Sequence, residues 1–207
     1  MKKLIIIDDH IALCNGIKLW FEQNAPDWQI LFTLSDPTEL EQKLSACGLQ
    51  NGNLQDVYAT VDIAFDKNPE IDGYDIINKL NSFGIKSVVY SMYYSGSFIS
   101  RAVECKAKGF VSKNFDESEL FTAFKQIDAG EEFYLPKELS DSLSKALSKT
   151  SSLSKKEKDV LFLIQKDLEN FEIASRLGIS IRTVENHISR IYDKTGYKTR
   201  IDLKRLT

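Results

Sequence analysis

Along the first two thirds of the chain, the spacing of apolar positions switches repeatedly between a strand-like and a helix-like period. Lys3–Ile7 is a short β-branched run and predicts a buried strand. Ile11–Asn24 sets Leu13, Ile17, Trp20 and Phe21 at helical spacing, and Pro26 stops that helix. A second strand is expected at Gln29–Leu34. Ser35-Asp36-Pro37 then opens a helix with Leu40 and Leu44 on its inner face. Gly48–Asn53 is rich in Asn and Gly and reads as a loop. Val57–Val61 predicts a third strand ending at Asp62, and the turn Asp72-Gly73 leads into a helix over Tyr74–Leu80. Ser87–Tyr90 predicts a fourth strand closing at Ser91. Phe98–Cys105 is helical, and Phe110-Val111 is a short fifth strand ending near Lys113. Asp116 caps a last helix through Leu120, Phe121, Phe124 and Ile127 to Gly130. Five strands alternating with five helices predict a doubly wound α/β layer, its sheet mostly parallel and covered on both faces.

From Pro136 the pattern changes. Residues 136–152 are rich in Ser, Lys and Leu, and Leu139, Leu143 and Leu147 fit a thin amphipathic helix that fades into a flexible Ser/Thr stretch. After it, every element is helical. Ser154-Lys155-Lys156-Glu157 is a capping box, and Val160, Leu161, Leu163 and Ile164 continue that helix inward. Asn170 caps a second helix with Ile173, Ala174 and Leu177, and Gly178 supplies its left-handed stop. Ser180 caps a third, from Ile181 to Lys194, closed by Gly196, and Thr199 opens a fourth with Asp202 near its positive end. The expected organisation is an α/β domain at 1–135, a Ser-rich and partly helical linker at 136–152, and a small all-α four-helix domain containing a helix-turn-helix at 153–207.

Composition narrows the function classes. The chain has 207 residues, 43% of them hydrophobic and 28% charged, a folded-protein balance. Its longest apolar runs, such as Leu4–Ile7, are far shorter than the ~18 residues of a membrane span. The stretch before Asp8 is too short for a signal peptide, so export is not expected. Cys14, Cys47 and Cys105 are an odd number without metal-type spacing, as in a reduced, cytoplasmic protein. Charge is uneven. Residues 1–152 hold 15 Lys+Arg against 22 Asp+Glu, whereas 153–207 hold 12 against 8, which suits a tail that meets a polyanion.

Ligands of an open parallel sheet bind at the carboxyl ends of its strands. There this chain places Asp8 and Asp9, Asp62, Ser91 and Lys113. Carboxylates this close repel and raise one another's pKa. A hard divalent cation relieves the repulsion, and Mg²⁺ suits oxygen ligands. Such an ion also binds phosphoryl oxygens, for which Lys113 offers a point charge and Ser91 a donor.

These residues carry a family resemblance. Leu4-Ile5-Ile6-Ile7-Asp8-Asp9-His10, Val88-Val89-Tyr90-Ser91-Met92-Tyr93 and Ala107-Lys108-Gly109-Phe110-Val111-Ser112-Lys113 resemble the acidic pair, switch-hydroxyl strand and lysine segment of response-regulator receivers of the NarL/FixJ class. The resemblance implies a flavodoxin-like receiver in which Asp62 accepts a phosphoryl group from a sensor histidine kinase. It further implies that Asp8, Asp9, Asp62 and the Ala64 carbonyl hold Mg²⁺. Ser91 and Lys113 would bind the phosphoryl oxygens, and Phe110 would act as the switch aromatic that turns inward. The segment after Asp62 departs from the family pattern, because Asp66-Lys67-Asn68 precedes Pro69 and Asp72-Gly73. Asp66 is the alternative acceptor. Asp62 is preferred because a full buried strand precedes it, and choosing Asp66 would bury an unpaired Asp62 within that strand.

In the tail, Glu172-Ile173-Ala174-Ser175-Arg176-Leu177-Gly178-Ile179-Ser180 and Thr183-Val184-Glu185-Asn186-His187-Ile188 resemble the LuxR-type DNA-binding domain. Val184, Ile188 and Ile191 form one apolar face of the third tail helix. The other face presents Glu185, Asn186, Ser189, Arg190 and Lys194 for a major groove of double-stranded DNA, with Thr183 at its start. Asn186 and Glu185 suit base edges. Arg182, Lys194, Lys198 and Arg200 suit phosphates. The function implied is a two-component transcription regulator, dimeric when active, that takes a phosphoryl group as regulation rather than as catalysis. Two rivals stay open: a regulator that no longer takes phosphate, given the altered loop, and an aspartyl-phosphate phosphotransferase. The second wants Asp-x-Asp after the first strand where this chain has Asp8-Asp9-His10.

Overall fold

The computed structural model describes residues 1–49, 54, 56–65 and 71–204. The chain divides into two compact units, Met1–Met92 with Arg101–Pro136 and Tyr93–Ser100 with Lys137–Thr207.

The first unit is built on a five-stranded sheet of β1 (Lys2–Ile7), β2 (Trp28–Leu34), β3 (Val57–Val61), β4 (Lys86–Ser91) and β5 (Gly109–Ser112). Every pairing is parallel and the order is β2-β1-β3-β4-β5. Strand order therefore reverses beside β1, and the crevice beyond the carboxyl ends of β1 and β3 is where such sheets bind ligands. Ile7 lies opposite Val61, and the Asp62 N–H donates to the Ile7 carbonyl at 2.9 Å, so Asp8 and Asp62 leave neighbouring strands at one level. The Lys113 N–H donates to the Ser91 carbonyl at 2.9 Å and sets those two side by side. All five residues of β3 are buried, the continuous apolar strand that cover on both faces requires.

The helices are α1 (Ile11–Asn24), α2 (Leu40–Ala46, behind the 3₁₀ turn Pro37–Glu39), α3 (Gly73–Ser82), α4 (Gly96–Glu104, of which Arg101 onward belongs to this unit) and α5 (Glu117–Asp128). On one face Phe21, Trp28, Tyr58 and Phe124 pack edge to face or tilted, with Trp28–Tyr58 centroids 4.9 Å apart and Tyr58–Phe124 5.4 Å. This cluster fastens α1 and α5 to the sheet near the amino ends of β2 and β3.

The second unit holds α6 (Lys137–Thr150), α7 (Lys155–Gln165), α8 (Asn170–Leu177), α9 (Ile181–Thr195) and α10 (Arg200–Lys204). The Ser-rich segment is a continuous helix rather than one that fades. Leu139 is buried, Leu143 follows one turn on, and Glu, Lys, Leu and Ala between the serines are good helix formers. The cap of α8 is Glu169, in a reciprocal box with Glu172, rather than Asn170, which is the first helical residue. Ser154 and Glu157 make the expected capping box on α7, and Gly178 and Gly196 close α8 and α9 at φ 64° and 76°.

Candidate functional site

The ends of β1, β3, β4 and β5 bring one ammonium against a set of buried carboxylates. Asp8, Asp9, Asp62 and Ser91 are all buried. Ser91 Oγ donates to Asp62 Oδ1 at 2.7 Å, and the Ile63 N–H donates to the same oxygen at 2.6 Å. Lys113 Nζ donates to Asp62 Oδ2 and lies 2.7 Å from Asp8 Oδ2, the latter an ion pair off the hydrogen-bond direction. Residues from four strand ends thus converge, and Asp62 is the group on which Ser91 and Lys113 meet.

Burial raises the Asp8 carboxyl above its ordinary range and the Asp62 charge adds to this, while Lys113 works the other way. For Lys113, burial favours the neutral amine, yet Asp62 and Asp8 together outweigh it and hold the ammonium above its usual value. One lysine against three carboxylates leaves an excess of buried negative charge. Donor atoms of Asp8, Asp9, His10 and Asp62 lie within 4.8 Å of one another, a set that fits a hard divalent cation. Cys14 lies beneath, its Sγ donating to the Asp8 carbonyl at 3.3 Å and its thiol pushed up to about 11 by burial.

The loop after Asp62 is pinned at its far end. Ala64 bridges Asp72 in antiparallel fashion, and the Asp72 carboxylate caps α3 by accepting the Tyr74 N–H at 3.1 Å. Gly73 presses on the Asp62–Ile63 peptide: a Cβ there would stand 2.1 Å from the Asp62 carbonyl oxygen and 2.5 Å from Ile63 Cα. Arg101 on α4 reaches Asp72 Oδ2 at 3.2 Å, with its guanidinium 5.1 Å from the Tyr74 ring centroid. The alternative acceptor, Asp66, lies outside the described residues. Phe110, expected to turn inward, is fully buried in β5 opposite Val89.

Sequence reasoning passed over three parts of this site. Gly73 and Asp72 read only as a turn, because nothing local reveals that the backbone closes on Asp62. Arg101 carried no signal. His10 was visible beside the acidic pair but went unused.

The helix-turn-helix is the second candidate site. The apolar face of α9 buries Val184, Ile188 and Ile191, while Arg182, Glu185, Asn186, Ser189 and Arg190 form an exposed stripe at helical spacing. Thr183 is half-buried, its hydroxyl 2.8 Å from that of the cap residue Ser180. Lys198 is exposed. Two of the residues expected at phosphates are engaged within the domain. Lys194 Nζ donates to Glu157 Oε2 at 2.7 Å, and Arg200 donates to Asn170 Oδ1 at 2.8 Å and to the Leu168 carbonyl. Glu157 is buried, and its carboxyl is lowered to about 2, first by the Lys194 hydrogen bond and then by the Ser154 N–H.

Residues 151–207 match the family of bacterial regulatory proteins of the luxR type. The chain is 30% identical to the transcriptional regulatory protein DesR of Bacillus subtilis over 134 residues, 65% of this chain and 65% of that one. It is 26% identical to the transcriptional regulatory protein UhpA of Salmonella typhimurium, over 98% of this chain and 96% of that one. Among solved structures it is similar to the Salmonella typhimurium RcsB response regulator, with 25% identity, a TM-score of 0.61 and coverage of 99% and 98%. The chain is similar along its length to response regulators of the NarL/FixJ class, and its residues 151–207 belong to the luxR family. It is a DNA-binding transcription regulator with a flavodoxin-like first unit and a LuxR-type helix-turn-helix. Among the described residues no helix is long and apolar enough to cross a membrane.

Proposed function

We propose that 1–135 is a receiver, 136–152 a helical linker and 153–207 the DNA-binding domain, and that phosphorylation of Asp62 by a cognate histidine kinase controls the whole. An Asp62 carboxylate oxygen forms a bond to phosphorus as the P–N bond of a phosphohistidine breaks, and the electron pair returns to the imidazole nitrogen. Mg²⁺ held by Asp8, Asp9, Asp62 and the Ala64 carbonyl supplies charge neutralisation for the phosphoryl oxygens. Lys113 and Ser91, which now hold the Asp62 carboxylate, follow the new negative charge to those oxygens. Lys113 thereby leaves Asp8, and the strand ends that carry these groups shift with them. The outcome is a homodimer that places two α9 stripes on two half-sites of duplex DNA in the cytoplasm.

The observation that carries this reading is the convergence of Ser91 and Lys113, from separate strands, on the single carboxylate of Asp62. Sedimentation and DNA binding, measured with and without a small-molecule phosphodonor and Mg²⁺, test it. The donor should drive dimerisation and tighten DNA binding in the wild type, and do neither in Asp62→Asn. A second reading, a regulator that works without phosphate, is favoured by the segment after Asp62, where Asp66-Lys67-Asn68 precedes Pro69 and Asp72-Gly73. Tight DNA binding unchanged by the donor would select that reading.

A further inference from the structure

His10 stands at the N-cap position of α1, where Ser, Thr, Asp or Asn usually accepts a backbone N–H, yet its side chain makes no cap hydrogen bond. The imidazole turns back over the acidic pocket instead. Its Nδ1 lies 3.1 Å from Asp9 Oδ1 and 3.2 Å from Asp8 Oδ1, while the His10 N–H donates to that same Asp8 oxygen at 3.0 Å and fixes the carboxylate's aim. An octahedral ion with bonds of about 2.1 Å holds neighbouring donors about 3 Å apart. Nδ1 thus stands from each carboxylate oxygen at nearly the spacing of adjoining ligands on one ion, and the ring is half exposed.

The geometry points to His10 as a nitrogen ligand of this pocket, one that moves its cation preference from Mg²⁺ toward Mn²⁺ and other borderline divalent ions. The inference rests on the reading of Asp8, Asp9 and Asp62 as metal ligands. Carboxylates alone favour hard ions; Mg²⁺ also sheds water reluctantly and gains little from a nitrogen donor. An imidazole raises affinity for first-row transition ions, in increasing order from Mn²⁺ to Cu²⁺. The donor set of three carboxylates and one imidazole therefore discriminates in a way that an all-oxygen pocket does not. His10 makes the chemistry of the cofactor, rather than the phosphoryl step, a property specific to this pocket.

Calorimetric titration of the full chain with Mg²⁺ and Mn²⁺, on wild type, His10→Ala and Asp9→Asn, tests this, with electron spin-echo spectroscopy of the Mn²⁺ form as a structural readout. His10→Ala should weaken Mn²⁺ on the order of tenfold or more, the scale on which even outer-shell partners act, and leave Mg²⁺ nearly unchanged. The wild-type Mn²⁺ signal should carry nitrogen modulation from the ring, lost in His10→Ala. Asp9→Asn should weaken both ions. Mn²⁺ binding without nitrogen modulation and unaffected by His10→Ala would overturn the inference and leave the carboxylate site standing. Failure of wild type to bind either ion would overturn both.

Discussion

In the acidic pocket, three carboxylates, one hydroxyl and one ammonium are buried within reach of one another, whereas on α9 the polar side chains stand out to solvent from a helix whose reverse face carries the fold. Asp62 alone engages Ser91, Lys113 and the Ile63 N–H. Changing one member of such a set alters the charge balance of all the rest, so stability and chemistry move together. On α9 the apolar residues Val184, Ile188 and Ile191 fix the helix, and the stripe opposite them is exposed, where substitutions usually change stability little. Under the proposed function, regulation is built where residues are mutually dependent, and recognition where they are separable.

The sharpest way to break that contrast is Lys113→Ala. It strands Asp8 and Asp62 as buried carboxylates facing one another, which should cost about 3 kcal/mol in denaturant unfolding near neutral pH. Mg²⁺ should restore part of the loss, because it binds the folded pocket alone. A stability insensitive to both the substitution and Mg²⁺ would mean that the pocket charges are not coupled. Gly73→Ala comes next, since its Cβ would drive into the Asp62–Ile63 backbone. A loss of ~1–3 kcal/mol is expected, and phosphodonor labelling should fall with it, as the acceptor peptide is displaced.

On the recognition helix the effects should separate. Asn186→Ala should cost on the order of 1–3 kcal/mol at one base pair and relax the preference there, with thermal stability unchanged. Arg182→Ala and Arg190→Ala should each lower the salt slope of DNA binding by about one unit. Lys194→Ala should lower it by less, because that ammonium is held by Glu157. A full unit lost at Lys194 would show that the lysine leaves Glu157 on DNA. The smallest effect is Glu157→Gln, below about 1 kcal/mol, since Gln can keep the capping box and the exposed Lys194 limits the ion pair. The folded carboxyl lies near 2, below its ordinary 4.5. Its contribution is therefore complete above pH ~4.5 and lost as pH falls toward 2. Acid unfolding of the variant should show a weaker pH dependence across that window.

What could be read in advance divides along the same line. The strands, α1 and the caps of α7 and α9 follow from apolar period and from Ser, Pro and Gly placed at element ends, all of them local signals. Asp8, Asp62, Ser91 and Lys113 were legible because a parallel sheet aligns its strand ends, so order in sequence becomes proximity in space. The closure of Gly73 on Asp62 and the reach of Arg101 to Asp72 depend on how a loop returns across the sheet, which no period records. The intradomain partners of Lys194 and Arg200 were not legible, because a basic residue at a helix end looks alike whether it faces DNA or a neighbouring helix. Only the fold puts Glu157 and Asn170 beside them. The linker helix was expected from Leu139, Leu143 and Leu147, but its run on to Thr150 was not: Ser content suggested a flexible end, while the helix-forming neighbours prevailed.

The account's central claim is that Asp62 is the phosphoryl acceptor. Intact-mass spectrometry of the full chain treated with acetyl phosphate and Mg²⁺, followed by peptide mapping, measures it in wild type, Asp62→Asn and Asp66→Asn. The account predicts one added phosphoryl group in wild type and Asp66→Asn, mapped to Asp62, and none in Asp62→Asn. Labelling of Asp62→Asn that disappears in Asp66→Asn would contradict it.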